Sequence, residues 1–169
     1  MQTRYPISII TLHWLMAVLV VIAYITGGNP VRNGFEGEIH AVSGLLIALL
    51  LLIRLPVRLF LKKKIPVHTL PQWQHLLAQL VQVALYLCMI LIPLTGLLAL
   101  SEKTDSYILF GMNLPLLDMS FLETSDIEIG DLHELFANAF IGLAGVHAVA
   151  ALIHHFVFKD GVLKSMSPH

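Results

Sequence analysis

Nine histidines occur in a chain of 169 residues of which only 12% are charged. Six of them, His13, His40, His133, His147, His154 and His155, fall in or at the ends of long apolar stretches. An ionisable side chain inside a membrane span is costly and tends to face the bundle interior, which makes each one a functional candidate. The spacings separate them. His133 and His147 are 14 residues apart, about 40° short of four full helical turns and about 21 Å of rise, so they share a helix face at two depths. His13 lies 14 residues before Gly27, where its own stretch ends. With the first stretch running outward and the last inward, His13 matches His147 in depth. His40 opens its stretch at the level where His133 opens another. Two same-depth pairs result, His13 with His147 and His40 with His133.

Two imidazoles from facing helices at one depth can clamp a haem iron from both sides, with the porphyrin in the bundle core. Iron with six ligands has no vacant position and passes electrons rather than binding substrate. Zinc suits the ligand type, but it needs three or four protein ligands and each level offers two. No CxxCH occurs, so the haem is expected to be non-covalent and b-type. The competing reading is that these histidines only bond to nearby carbonyls or sit among lipid headgroups.

Other positions stand around the pairs. Arg54 follows His40 by 14 residues, hence on the same face near the opposite end, where its guanidinium could hold a haem propionate through two hydrogen bonds. The alternative is an arginine that snorkels from a helix end, which is the reading given to Arg58. His154 follows His147 by seven residues, placing it on the same face about 10 Å further along. It could hand a proton to a reduced carrier, bind a propionate, or be an interfacial histidine without a role. His155 points elsewhere, and His68, His75 and His169 are read as solvated. Gln79 and Gln82 form a polar patch at i, i+3, read as interhelical hydrogen bonding.

These residues need long apolar elements to carry them, and the composition supplies such elements. Hydrophobic residues make up 57% of the chain and the mean hydropathy is +0.80, which excludes disorder and argues against a water-soluble globule. About 20 mostly apolar residues cross a bilayer core. Four spans are expected, at about 7–27, 39–61, 76–100 and 132–158, in a single all-α membrane domain: a four-helix bundle enclosing two haems b, with a long outer loop between the third and fourth helices. Gly27-Gly28-Asn29-Pro30 ends the first span, and Lys62-Lys63-Lys64 with Pro66 ends the second. Pro93 is expected to kink the third, and Trp73 to anchor its start. Asp131 and Glu134 have the spacing of a capping box at the start of the fourth, and Gly142, Ala144, Gly145 and Ala148 suit close packing in lipid. The first span is too long for a cleavable signal peptide, and no small-x-small site follows it. Cys88 in an apolar run reads as a small buried hydrophobe.

Charge distribution orients the bundle. Arg4, Arg54, Arg58, Lys62, Lys63, Lys64, Lys159 and Lys164 lie on one side, and only Arg32 and Lys103 on the other. The positive-inside rule then puts both termini in the cytoplasm. The outer segments carry nine carboxylates against those two cations, before Glu134 is counted, for a net charge of −7. The connection from Ser101 to Asp131 is too long for an idle turn, and its apolar residues, among them Tyr107, Leu109, Leu117 and Phe121, need cover, so it is expected to fold over the outer helix ends.

Taken together, Thr11-Leu12-His13-Trp14-Leu15, Ile39-His40 followed by Arg54, Pro93-Leu94-Thr95-Gly96, Phe110-Gly111 with Pro115, and His133-Glu134 through Gly142, His147, Ala148, Ala150-Ala151 and His154-His155 to Lys159-Asp160 resemble the motifs of the bacterial cytochrome b561 family. The likeness covers essentially the whole chain. It implies a four-helix protein of the bacterial inner membrane with two b haems and ubiquinone reacting near the cytoplasmic one. By position it assigns His13, His40, His133 and His147 as axial ligands. Relatives can carry histidines where this chain has Gln79 and Gln82, so those positions are not required as ligands. The best-described activity in the family is superoxide oxidation at the outer face coupled to quinone reduction. An outer charge of −7 should repel that anion and suit a basic donor instead.

The leading expectation is therefore a di-haem cytochrome passing electrons across the membrane between an unidentified outer-face donor and the quinone pool. Its alternative is a superoxide:ubiquinone oxidoreductase, served by a local basic funnel at Arg32 and Lys103. A non-redox membrane anchor or transporter is the third reading. Membrane lipid and quinone are the expected partners, and no nucleic acid is.

Overall fold

In hydrocarbon an apolar segment must close its backbone hydrogen bonds within itself, and a helix does so. The computed structural model, which describes residues 4–28, 31, 34–68, 70–104, 106–116 and 128–167, contains four such helices. They are α1 (Ile7–Ile25), α2 (Phe35–Phe60), α3 (Gln72–Ser101) and α4 (Ile129–Ile153), the last continuing through a π-helical turn, His154–Phe158. Each is long and apolar enough to cross a membrane, and the architecture is that of an all-α membrane four-helix bundle. A five-residue helix, α5 (Val162–Met166), follows the π-turn.

Several helices begin earlier than hydropathy suggests. α2 starts at Phe35, with Glu36 and Glu38 in its first turn, where carboxylates meet the positive end of the helix dipole. α3 starts at Gln72 behind Pro71, and α4 at Ile129 behind an extended Glu128. No side chain caps α4, so the capping box expected from Asp131 and Glu134 is not formed. Asp131 falls instead in the first turn, where its charge alone is favourable. Pro93 lies inside α3, and Pro56 inside α2 as well.

α1 packs chiefly on α2, and α3 on α4, while α2 and α3 touch less closely. Met16, Ile47 and Leu51 form a buried cluster, with Tyr86 and Met89 of α3 packed against it. Large apolar side chains such as Leu15, Leu52, Phe60, Leu80, Val83 and Val146 point outward, as lipid-facing positions do.

Part of the outer connection forms an antiparallel hairpin, β1 (Ser106–Leu109) with β2 (Met112–Pro115), in which Leu109 pairs with Met112. Its two-residue turn has positive φ at both Phe110 (46°) and Gly111 (81°), the handedness that matches strand twist. Tyr107 and Leu109 are buried against Leu100, Ala41 and Val42, so this part covers the helix ends on its side of the bundle. Arg32, Asp105, Leu117, Asp118, Phe121, Glu123 and Asp126 lie outside the described residues.

Candidate functional site

The histidines bridge the gap between the two helix pairs. His13 of α1 faces His147 of α4 with ring centroids 6.4 Å apart, and His40 of α2 faces His133 of α4 at 5.9 Å. With a metal–imidazole bond of about 2.0 Å and roughly 1.1 Å from nitrogen to ring centre, imidazoles on opposite sides of one metal have centroids about 6.2 Å apart. Both pairs are at that spacing. Among the described residues no cluster of three or more His, Cys, Asp or Glu could hold a bare metal ion.

The His40–His133 pair is held by backbone carbonyls. His40 donates Nδ1–H to the Ala23 carbonyl (2.8 Å), and His133 donates Nδ1–H to the Ile92 carbonyl (2.9 Å). A proton held on Nδ1 leaves the Nε2 lone pair for a metal. A cavity of about 650 Å³ contains both rings and is lined also by Gly44, Gly96, Tyr107 and Lys103, a volume within the range of cofactor pockets. Gly96 is a specific requirement. A Cβ there would lie 2.9 Å from Cε1 of His133, so only glycine lets that ring lie flat against α3. At the mouth stand Lys103 and the carboxylates of Glu128, Asp131 and Glu134. Lys103 reaches beside Gly130 at the start of α4.

The other pair is arranged differently. Arg54 Nη2 donates to Nδ1 of His13 (3.2 Å). Since arginine has only donors, Nδ1 accepts and a neutral ring carries its proton on Nε2. Ligation through Nε2 therefore needs Arg54 to let go of His13. The guanidinium is poorly held otherwise: Nη1 reaches only the Met16 sulfur (3.6 Å), and Nε is buried without a partner. The Tyr86 hydroxyl, packed near the same Met16 cluster, is also buried and unpartnered. A guanidinium and a phenol left in this state beside a histidine pair fit an acid group of a cofactor, because leaving buried donors unmade is expensive.

Ile47 lies midway in sequence between His40 and Arg54, and Phe140 midway between His133 and His147; both are buried and line the floor of the outer cavity. They set an apolar layer between the two histidine levels.

The remaining candidates are elsewhere. His154 does not join the pairs; Nδ1 bonds to Oδ2 of Asp160, and its ring packs on Phe158. His155 packs on Phe156. His68 is not simply solvated, since Nε2 meets the Ser165 hydroxyl at 3.3 Å. Arg58 does more than snorkel: it donates to Gln82 Oε1 (3.1 Å), an interhelical bond as expected, whereas Gln79 bonds to His75 on its own helix. Sequence reasoning missed Gly96, Tyr86 and Asp160. The first two need the position of a neighbouring helix to be noticed, and Asp160 needs a turn that folds back.

Burial acts to raise the Asp160 carboxyl, but the His154 hydrogen bond, the Val162 N–H and the charges of His154 and His68 outweigh it and hold it below 3.8. The stabilisation of this turn is thus fully present above the ordinary carboxylate range and is lost as pH falls through the lower folded value. Hydrogen exchange at the Val162–Met166 amides, corrected for intrinsic rate, should accelerate below about pH 4.

A family model described as prokaryotic cytochrome b561 matches residues 4–169. The chain is 30% identical to "Probable superoxide oxidase CybB" of Yersinia pestis, over 99% of this chain and 98% of that protein. It is 28% identical to "Cytochrome b561 homolog 1" of Escherichia coli (strain K12), over 99% and 98%. It is also 32% identical to "Cytochrome b562" of Cereibacter sphaeroides, over 93% and 90%.

Proposed function

Because the chain belongs to the prokaryotic cytochrome b561 family, a group of bacterial membrane b-type cytochromes that transfer electrons, we propose that it carries two haems b and passes electrons between a donor at the outer face and ubiquinone at the cytoplasmic end. The observation that carries this reading is the pair of facing histidines at each of two levels, at 6.4 and 5.9 Å. His40 and His133 would hold the outer haem, and His13 and His147 the inner one. Haem b supplies reversible one-electron transfer at such a site. The carbonyls of Ala23 and Ile92 fix the tautomers of the outer ligands. Arg54 would hold a propionate in place of its bond to His13. The basic residues at one end of the bundle support cytoplasmic termini.

The test is a reduced-minus-oxidised spectrum with a pyridine haemochrome assay. Two haems per chain with low-spin bis-histidine spectra are expected; one haem per chain would sink the pairing, and a colourless protein would favour an anchor or transporter. A narrower check follows from the Gly96 contact. Gly96→Ala should push His133 from its seat and lower the haem content from two towards one per chain, the loss falling on the outer haem in a redox titration.

A second reading, superoxide oxidation coupled to quinone reduction, is favoured by Lys103, a cation at the mouth of the outer cavity, and by the superoxide oxidase named among the relatives.

A further inference from the structure

The chain folds back on itself where α4 ends, and the fold-back serves one carboxylate. After the π-turn, Lys159 (φ 53°) and Gly161 (φ 81°) both take left-handed backbone, a costly conformation for lysine. The turn brings Asp160 onto His154, six residues back, with Oδ2 on the ring Nδ1 while Oδ1 accepts the Val162 N–H (3.1 Å). Capping a five-residue helix needs one oxygen; the second is committed to the histidine. The element behind Asp160 is fastened from several sides. Ser165 is 1% exposed, its carbonyl accepts from Tyr5 N–H (3.0 Å), its hydroxyl meets His68, and the Met166 carbonyl accepts from Trp14 Nε1 (2.9 Å). Trp14 in turn packs on His13, with ring centroids 5.5 Å apart. A carboxylate braced in this way exceeds what an exposed ion pair needs, since such a pair is worth little on its own.

We propose that Asp160 is the positioning residue of a proton-delivery site: it holds His154 by Nδ1, fixing the tautomer in which Nε2 exchanges the proton with the quinone. The inference rests on quinone reduction at this end, as argued above. Reduction of a quinone to a quinol takes two electrons, delivered singly from the outer donor through the protein, and two protons. His154 supplies one, its Nε2–H bond breaking as the quinol O–H bond forms, and recovers it from cytoplasmic water; water at the same end supplies the other. The carboxylate fixes the ring and steadies the charge it carries when loaded.

The test uses the purified haem-loaded protein, reduced with stoichiometric dithionite and mixed with a short-chain ubiquinone while haem reoxidation is followed. Asp160→Asn keeps an oxygen for the Val162 cap but loses the charge. It should slow reoxidation at saturating quinone by at least about tenfold, leave the half-saturating quinone concentration and the haem spectrum unchanged, and recover in Asp160→Glu. His154→Ala should show the same loss and be partly rescued by added imidazole, which a lost helix cap would not be. Wild-type reoxidation in Asp160→Asn, or failure of imidazole to rescue His154→Ala, overturns the proposal while the quinone reading stands. A wild-type protein that quinone does not reoxidise overturns both.

Discussion

On the two-haem reading proposed above, His13→Ala or His147→Ala should remove the cytoplasmic-side haem and leave the outer one, while His40→Ala or His133→Ala should do the reverse. Each substitution takes haem from two to one per chain. The reason is distance. The other histidine of the pair on α4 is about 21 Å away along the helix, and the buried Ile47 and Phe140 lie between the two levels. Nor would the surviving partner have a ring facing it, since the two pairs have their ring centroids 6.4 and 5.9 Å apart. Haem assay and redox titration of the four variants check this: two should lose one midpoint and two the other. Loss of the same midpoint in His13→Ala and His40→Ala would show that the two levels are wrongly drawn.

Charge at the outer face should set the second large effect. Fields from many like charges change association rates by roughly 10- to 1000-fold, and three carboxylates against Lys103 surround the mouth of the outer cavity among the described residues. Haem reduction by superoxide should therefore be slow at low ionic strength and quicken as salt screens the carboxylates, whereas reduction by a basic soluble donor should slow with salt. Stopped-flow rates over a range of ionic strength read this directly. A superoxide rate that is fast at low salt and falls as salt is added would mean that a local basic funnel outweighs the carboxylates, and would put the superoxide oxidase reading first.

The histidine levels were legible in the sequence because helices convert residue spacing into angle and depth by fixed increments. Fourteen residues is close to a whole number of turns, so His40 to Arg54 and His133 to His147 could each be put on one face without knowing a single contact. What was not legible depends on the neighbour. Gly96 looks like any small residue until the His133 ring is laid against it, and Tyr86 like a core aromatic until its hydroxyl is found without a partner. The Phe110-Gly111 turn lacks the asparagine that usually announces positive φ, and Asp131 and Glu134 have the spacing of a capping box although α4 begins earlier, at Ile129 behind Glu128. Asp160 reads as a polar residue after the last span; only the left-handed backbone at Lys159 and Gly161 reveals that it turns back.

The apolar layer between the two histidine levels has an electrical consequence. If the two histidine levels hold haems as proposed, redox centres about 21 Å apart within a hydrocarbon core about 30 Å thick are separated by roughly two-thirds of it. A potential of 100 mV across the whole membrane is worth about 2.3 kcal/mol per elementary charge, so an electron moving between the levels works against or with about 1.5 kcal/mol for each 100 mV. With the cytoplasm negative, inward flow is opposed by the membrane voltage and outward flow is driven by it. The protein would then act as a voltage-dependent resistor. In energised vesicles, collapsing the potential with an ionophore should raise the rate of quinone reduction from outside, with no change in either haem's ligands.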